Sequence, residues 1–377
     1  MRVNVRQLQK KLLGWFAKHK RLLPWRLHGN PYRIFVVEVM LQQTQIKTVI
    51  PYYERWLRAF PNVKALAEAP LDQVLKLWEG LGYYSRARNL HQAAQTIVEK
   101  FGGKIPSDLE SLQSLPGIGR YTAGAIASIA FQKPVPLVDG NVARVLSRVL
   151  NLKKDIAKPE TQKLLYNVAE TLVSREEPGN FNQALMELGS LVCIPDVPKC
   201  SICPVQTLCL AYQKGDPSKL PIKSKGVRVK EIDMVVGILT KNGKILVRRR
   251  PERGIWGGLW EIPGTVRATN QTPEEALKEE FKETLGLAIK IHKKERPVEH
   301  RFTHRKALIY PFYCETIKNG KPKSKWTNIR WVTQKELKKL SFPVPHQKIL
   351  RDCLIAQPSF QDSALLAMTQ RKRCHEI

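Results

Sequence analysis

Two acidic residues of this 377-residue chain stand in surroundings that would give their carboxyl groups different acidities. Glu38 lies in residues 34–41 with three apolar residues on each side, so a helix here cannot leave its carboxylate in water. Burial without a partner raises the pKa of a carboxyl group, and an acid that is protonated near neutral pH suits general acid catalysis. The alternative is a buried ion pair, with Arg26 as a candidate partner.

Asp139 lies at the predicted start of a helix, in the segment VDGNV at residues 138–142. The dipole of a helix favours negative charge at this end, so we expect a lowered pKa and an ionised carboxylate at Asp139. The alternative for Asp139, and also for Asn141, is a simple helix N-cap without a catalytic role.

About twenty residues before Asp139 the chain reads LPGIGR at residues 115–120, ahead of a helical pattern. Gly117 and Gly119 allow a tight turn and a close approach to another surface, and the N–H groups of the next helix suit a phosphate. These features are typical of a helix-hairpin-helix that holds the DNA backbone without reading bases. A simple turn between two helices fits the same residues.

Two further segments carry side chains suited to nucleic acid. The amides of Gln42 and Gln43 could enter a base stack or hydrogen-bond to base edges. Residues 80–89 combine glycines with Tyr83 and Arg86, so an aromatic ring could wedge between bases while an arginine holds a phosphate. Taken alone, the glutamines also fit a helix surface and the tyrosines a packed core.

Four cysteines lie within seventeen residues and indicate a metal centre, either an iron–sulfur cluster or zinc. They are Cys193, Cys200, Cys203 and Cys209. The six residues between the first two depart from the paired Cys-x-x-Cys of a zinc ribbon, which favours iron–sulfur.

The composition favours a polyanionic partner. There are 63 Lys and Arg against 33 Asp and Glu, a formal charge of +30, which indicates DNA or RNA before an anionic membrane. Hydrophobic residues make up 43% of the chain, enough for a globular core. No apolar run reaches the roughly 18 residues that cross a bilayer. We expect a protein of a reducing compartment, in the cytoplasm or at the nucleoid, or nuclear or organellar in a eukaryote.

The period of the apolar residues changes along the chain. It is helical up to about residue 212, and a basic, proline-containing linker follows at residues 213–230. From Ile232 onward, strand patterns surround one helix at Pro273–Leu285. The sequence therefore predicts an all-α domain followed by an α+β domain.

Taken together, these segments resemble the adenine DNA glycosylases, the MutY family of the helix-hairpin-helix glycosylase superfamily. The matching segments are residues 23–26, 38–44, 80–86, 115–122, 138–142 and the cysteine loop. The resemblance implies an all-α, two-lobed helix-hairpin-helix glycosylase domain with an iron–sulfur loop, and a C-terminal α+β Nudix-like domain. The implied parts are a six-helix lobe at 31–136, a cluster lobe at 1–30 and 137–212, the basic linker at 213–230, the Nudix-like 8-oxoguanine recognition domain at 231–356 and a tail at 357–377.

The resemblance also implies roles for single residues. Glu38 would protonate a flipped adenine, and Asp139 would stabilise the oxocarbenium-like sugar or bond to it transiently, which agrees with glycosidic cleavage by one protonated and one ionised carboxyl group. Tyr121 and Asn141 would support this centre. The implied contacts to DNA or to the flipped base are made by Arg26, Gln42, Gln43, Tyr83, Arg86, Gly117 and Gly119. The implied ligands of a 4Fe–4S cluster are Cys193, Cys200, Cys203 and Cys209.

Tyr121 separates two mechanisms. Enzymes of the endonuclease III type carry a lysine here, which forms a Schiff base and cuts the backbone, whereas a phenol cannot form an imine. The expected activity is therefore that of a monomeric, monofunctional glycosylase that removes adenine opposite 8-oxoguanine or guanine in duplex DNA and starts base excision repair. The alternatives are an endonuclease III-like pyrimidine glycosylase with lyase activity, and a DNA-binding protein or nucleotide hydrolase without glycosylase activity.

The Nudix-like domain departs from a working Nudix box. Glu279 stands where the box needs arginine and Thr284 where it needs glutamate, so no hydrolase activity is expected. The implied 8-oxoguanine recognition loop is Phe302, Thr303 and His304. Many relatives have serine at the position of Thr303, which keeps the hydroxyl and adds a methyl group.

Overall fold

The computed structural model describes residues 4–27, 29–224, 230–252, 254–301, 305–317 and 328–356. The predicted recognition loop of Phe302, Thr303 and His304 and the tail at 357–377 lie outside the described residues. The described residues form two compact units. The first comprises 4–69 and 86–224, and the second comprises 70–85 and the described residues from 230 onward.

The first unit is helical, as predicted. Its α-helices are α1 (Val5–His19), α2 (Pro31–Leu41), α3 (Ile46–Ala59), α4 (Val63–Glu68), α6 (Ser85–Phe101), α7 (Leu109–Ser114), α8 (Arg120–Phe131), α9 (Gly140–Val149), α10 (Pro159–Leu172), α11 (Pro178–Leu191) and α12 (Leu210–Gln213). The first residue of α6, Ser85, is assigned to the second unit. In the part of the chain that the structure describes, no helix combines the length and the apolar character that a membrane crossing requires.

Helix α2 is buried around most of its circumference, as its sequence predicts. Asn30 caps its first turn by accepting a hydrogen bond from the Arg33 backbone N–H at 3.1 Å, and Pro31 occupies the first helical position. Eight of its eleven residues are buried, and the helix packs against α8. A helix that is apolar on all sides belongs in a core, so Glu38 is carried inside with its neighbours.

Helices α7 and α8 and the turn between them form the predicted hairpin. Gly117 has φ +76°, and a Cβ atom there would lie 2.7 Å from the Asn89 Cβ, so this position requires glycine. Gly119 is the N-cap of α8, makes no side-chain cap, and has open space where a Cβ would point. The first N–H groups of α8 are therefore accessible to an external acceptor.

The N-terminal helix shares a core with the second half of this unit. Leu8, Leu12 and Phe16 of α1 belong to the same buried cluster as Leu146 of α9 and Leu188 of α11. Helix α11 approaches the start of α9 closely, because a Cβ at Gly189 would lie 2.7 Å from the Asn141 Cβ. This contact fixes the residues that follow Asp139.

The second unit is an α+β domain, as predicted. Its helices are α5 (Leu71–Trp78), α13 (Pro273–Leu285), α14 (Gln334–Leu337) and α15 (Val344–Ala356). Its strands are β1 (Lys230–Lys241), β2 (Lys244–Arg249), β3 (Trp260–Glu261), β4 (Gly264–Val266), β5 (Ile289–Lys294), β6 (Val298–Arg301), β7 (Arg305–Thr316) and β8 (Ile329–Val332).

The sheet of this unit has the order β3-β2-β1-β7-β5, with β1 and β7 parallel and the other described pairs antiparallel. Successive side chains of β1 enter different cores, since Val235 packs with Phe281 of α13 whereas Val236 packs with Ile349 of α15. The sheet therefore lies between α13 and α15.

Candidate active site

A cavity of about 180 Å³ in the first unit brings the two acidic residues together. Helix α2 contributes Glu38, α8 contributes Tyr121, and Asp139 and Asn141 come from the start of α9. Because a water molecule takes up about 30 Å³ of liquid, this space can hold a planar heterocycle. The arrangement unites two carboxyl groups that the sequence places far apart.

Glu38 is 4% exposed, and its carboxyl Oε2 accepts a hydrogen bond of 3.2 Å from the Tyr121 hydroxyl. Among the described residues, Oε1 of Glu38 accepts no hydrogen bond. Burial raises the pKa of Glu38 to about 7, against the opposing hydrogen bond from Tyr121, and the negative charge of Asp139 adds to the rise. The carboxyl group therefore keeps its proton to a much higher pH than an ordinary glutamate, which is the direction that the sequence predicts.

Asp139 is the N-cap of helix α9, as one interpretation of the sequence predicts, and it also lines the cavity. Its Oδ1 accepts from the Val142 N–H at 2.7 Å and its Oδ2 from the Asn141 amide at 2.8 Å. The prediction of a lowered pKa is wrong in sign. Burial raises the pKa of Asp139, although both hydrogen bonds and the charge of Arg144 oppose that rise. Asp139 accepts two hydrogen bonds, which favour its ionised form, whereas Glu38 accepts one. When only one of the two carboxyl groups is protonated, the proton is therefore on Glu38.

Arg26 does not pair with Glu38, so that alternative for Glu38 is wrong. Its guanidinium instead forms an ion pair of 3.0 Å with Glu187 of α11 and donates to the Gln183 amide oxygen at 2.9 Å. Arg21 holds the same carboxylate at 2.8 Å. Burial disfavours the charge of Glu187, but the hydrogen bonds from Arg21 and Arg26 lower its pKa to about 2. Arg26 is thereby fixed at the wall of the cavity.

Sequence reasoning missed Glu187, Gln183 and Met186, which line the cavity from α11. The Met186 sulfur lies 3.3 Å from the Tyr121 hydroxyl. A signal was present, because Glu187 stands in the run ALMEL, a carboxylate among apolar residues like Glu38. The cost of burying a carboxylate among apolar residues therefore marks Glu187 as well as Glu38 as a candidate functional residue.

The predicted DNA contacts fall into two groups. Gln43, Gly117 and Gly119 are exposed in the first unit, and Tyr83, in the second, is 47% exposed. In contrast, the Gln42 amide donates to the Thr122 hydroxyl at 3.1 Å, and Arg86 is buried.

The four predicted metal ligands line one small cavity beside Arg148 of α9. The Arg148 guanidinium lies 3.4 Å from the Cys193 sulfur, and burial raises the pKa of the Cys203 thiol to about 12. Within the described ranges, no three His, Cys, Asp or Glu side chains converge closely enough to hold a metal ion. Four thiols that line one cavity are the kind of donor that an iron–sulfur cluster or zinc takes.

Two acidic residues of the Nudix-like sheet and helix, Glu261 and Glu280, form ion pairs with arginine. The buried guanidinium of Arg248 pairs with Glu261 at 2.7 Å and with Glu280 of α13 at 2.5 Å. Glu261 also pairs with Arg250 at 2.5 Å. These two carboxylates balance the positive charge of Arg248 and Arg250 inside the domain.

Comparison with known proteins matches residues 36–170 to the HhH-GPD superfamily of base excision DNA repair proteins and residues 234–352 to the NUDIX domain. The chain is 37% identical to an adenine DNA glycosylase of Mus musculus and 36% identical to one of Homo sapiens. These alignments cover 92% of this chain in each case, and 78% and 74% of the two relatives. An adenine DNA glycosylase of Buchnera aphidicola is 33% identical, with 90% of this chain and 96% of the relative covered.

Among solved structures, a thermostable thymine-DNA glycosylase superposes with a TM-score of 0.50 at 28% identity. The superposition covers 56% of this chain and 97% of that protein. The helical part of the chain thus has the fold of a known DNA glycosylase.

Proposed function

The chain belongs to the adenine DNA glycosylases, and from this membership we propose that it removes adenine mispaired with 8-oxoguanine or guanine in duplex DNA. The adenine would leave the base stack, enter the cavity and be cut from its sugar, which starts base excision repair. The observation that carries the proposal is the single cavity lined by Glu38 and Asp139.

Glu38 acts as the general acid. Since Tyr121 donates to Oε2, the proton of the neutral carboxyl group is held on Oε1, where the described residues provide no acceptor. Transfer of this proton to a ring nitrogen of adenine weakens the bond between the base and the sugar, and adenine leaves with that bonding electron pair.

Asp139 acts as the ionised partner. Asn141 and the Val142 N–H hold its two oxygens, so the charge is aimed at the sugar as positive character develops there. The carboxylate stabilises this sugar or bonds to it transiently. Water then adds its hydroxide to the sugar carbon, and the remaining proton returns to Glu38.

The remaining predicted residues bind and discriminate the substrate. The exposed turn of Gly117 and Gly119 and the uncapped start of α8 suit a backbone phosphate. Gln43 of the first unit is proposed to enter the stack beside the orphaned base, and the exposed Tyr83 of the second unit is proposed to contact DNA as well. Arg26, fixed by Glu187, borders the pocket for the flipped base. The loop of Phe302, Thr303 and His304 would read the base opposite adenine.

We expect the protein to act as a monomer wherever the genome is kept, at the nucleoid, in the nucleus or in an organelle. Its formal charge of +30 supports binding to duplex DNA that weakens steeply with added salt.

Three duplexes test the proposal, with adenine opposite 8-oxoguanine, adenine opposite guanine, and an oxidised pyrimidine. The expected result is cleavage of the adenine strand only after alkali, because Tyr121 cannot form the imine that precedes strand scission. Cleavage at the oxidised pyrimidine, or cleavage without alkali, would support the endonuclease III-like alternative instead.

The rate of base release should fall as the pH rises through about 7. Glu38 must be protonated, and its pKa is raised from 4.5 to about 7, so above that value each pH unit should cost roughly tenfold. On the acid side the rate should fall again as Asp139, whose pKa is also raised, takes up a proton. Single-turnover rates across the pH range measure both limbs. A rate that stays flat from neutral to alkaline pH would contradict the role of Glu38.

The same shift affects stability. Because the folded state binds the Glu38 proton more tightly than the unfolded chain, its contribution to stability is complete below about pH 4.5 and is lost as the pH rises toward 7.

The four-cysteine loop would hold a 4Fe–4S cluster through Cys193, Cys200, Cys203 and Cys209. When bound, such a cluster cross-links the loop and can exchange an electron. Protein prepared without oxygen should contain iron and sulfide in equal amounts. Cys203→Ser should lose both and lower the melting temperature, while Cys374→Ser, outside the loop, should retain them. Zinc in place of iron in the wild-type protein would overturn the assignment.

A further inference from the structure

Arg86 lies near the start of α6 and is buried, with 7% of its surface exposed. Its guanidinium reaches the C-terminal end of α2. There Nη1 donates to the carbonyl oxygens of Val39 at 3.1 Å and Met40 at 2.8 Å, and also to that of Gln42. Nη2 donates to the Thr44 hydroxyl at 3.1 Å. The group therefore gathers backbone carbonyls at and just after the helix end, where fewer N–H groups are available to satisfy them.

These contacts surround a residue with unusual backbone geometry. Gln43 has φ +58°, in the left-handed region that residues other than glycine rarely adopt. On one side of it Gln42 is anchored to Thr122, and on the other Thr44 is held by Arg86. Gln43 itself is exposed. An uncommon conformation persists where its surroundings determine it, and such positions cluster at functional sites.

We infer that Arg86 is a positioning residue that shapes the turn 42–44 and aims Gln43 into the base stack, instead of holding a phosphate as its sequence context suggests. This inference rests on the proposed function, which gives Gln43 its place beside the orphaned base. Helix α2 also carries Glu38, so the same clamp fixes the stacking side chain relative to the general acid.

Arginine suits this position better than lysine. The planar guanidinium offers several donors in a fixed arrangement and can serve three carbonyls and a hydroxyl together, whereas an ammonium group is a compact charge. The positive charge also lies at the negative end of the α2 dipole. A phosphate would compete with these internal acceptors for the same buried group.

The test compares Arg86→Met and Arg86→Lys with Arg58→Met, which removes an exposed arginine of α3. Single-turnover adenine release is measured on duplexes with adenine opposite 8-oxoguanine. Fluorescence of 2-aminopurine beside the orphaned base reports entry into the stack, and binding is followed against salt. Both Arg86 variants should lose the fluorescence change and release adenine about 10²-fold more slowly than the wild type. The salt dependence of their binding should keep the wild-type slope. Arg58→Met should keep the wild-type rate and the fluorescence change.

A double-variant cycle with Gln43→Ala shows whether Arg86 acts through Gln43. If it does, Arg86→Met should cost little more once Gln43 is already alanine. Losses that multiply would overturn the inference. A salt slope reduced by about one would also overturn it and restore the phosphate contact, as would full rescue by Arg86→Lys. If Arg86→Met does not fold, Arg86→Lys and Thr44→Val carry the same cycle.

Failure of the inference can be told apart from failure of the proposed function. Wild-type protein that leaves adenine opposite 8-oxoguanine intact would refute the function itself. An active wild type with independent losses at positions 43 and 86 would refute the positioning role alone.

Discussion

Glu38→Gln should lower the single-turnover rate of adenine release by about 10³-fold. The amide preserves the shape of the side chain and can still accept from Tyr121. It has no acidic proton to give to the departing base, so the bond to the sugar must break without general acid assistance. Binding to the mispair should stay close to that of the wild type, because no charge at the DNA surface changes.

The matched control for this variant is Glu110→Gln, which alters an exposed carboxylate in the first turn of α7. It should release adenine at the wild-type rate. Glu38→Gln should also remove the loss of stability that occurs as the pH rises through about 7, because the buried group no longer titrates. Turnover retained in Glu38→Gln would exclude this residue as the acid.

Asp139→Asn should lower the rate by about 10² to 10³-fold, because the sugar loses the fixed negative charge that stabilises its positive character. The substitution separates the two roles of this residue. Asparagine caps helices about as well as aspartate, so its oxygen should keep the Val142 N–H and α9 should still form, although the hydrogen bond from the Asn141 amide is lost. A wild-type rate in this variant would reduce Asp139 to a helix cap.

Asp108→Asn provides the comparison for Asp139. Asp108 caps α7 through the Ser111 N–H at 2.8 Å, as Asp139 caps α9 through Val142, but it is not among the residues that line the cavity. If capping were the shared role, both variants would behave alike in stability and in rate. We expect both variants to keep their helices and to differ in base release.

The sequence was sufficient for the features that depend on near neighbours. Three apolar residues on each side of Glu38 bury it in whatever helix forms, so its raised pKa could be predicted without tertiary structure. Gly117 likewise predicts a turn from the sequence, since the left-handed backbone at this position excludes most side chains. The change of period near residue 232 predicted the α+β domain for the same reason.

Features set by distant parts of the chain could not be predicted in this way. The dipole of α9 at Asp139 is local, but the burial that reverses the direction of its pKa comes from elements far away in sequence. Arg26 and Glu187 are 161 positions apart in the sequence, so no rule about residue spacing could predict their ion pair. The glycines near Arg86 suggested an exposed loop, whereas the fold turns its guanidinium inward.

The close approach of α11 to α9 has a genetic consequence. Alanine at position 189 would place a methyl group 2.7 Å from the Asn141 Cβ, next to the amide that orients Asp139. Such an allele would alter no acidic group and no DNA contact, yet it would displace the support of the ionised carboxylate. A cell carrying it would make a glycosylase that keeps every proposed reacting group and DNA contact but releases adenine slowly, a lesion that inspection of the reacting atoms alone would miss.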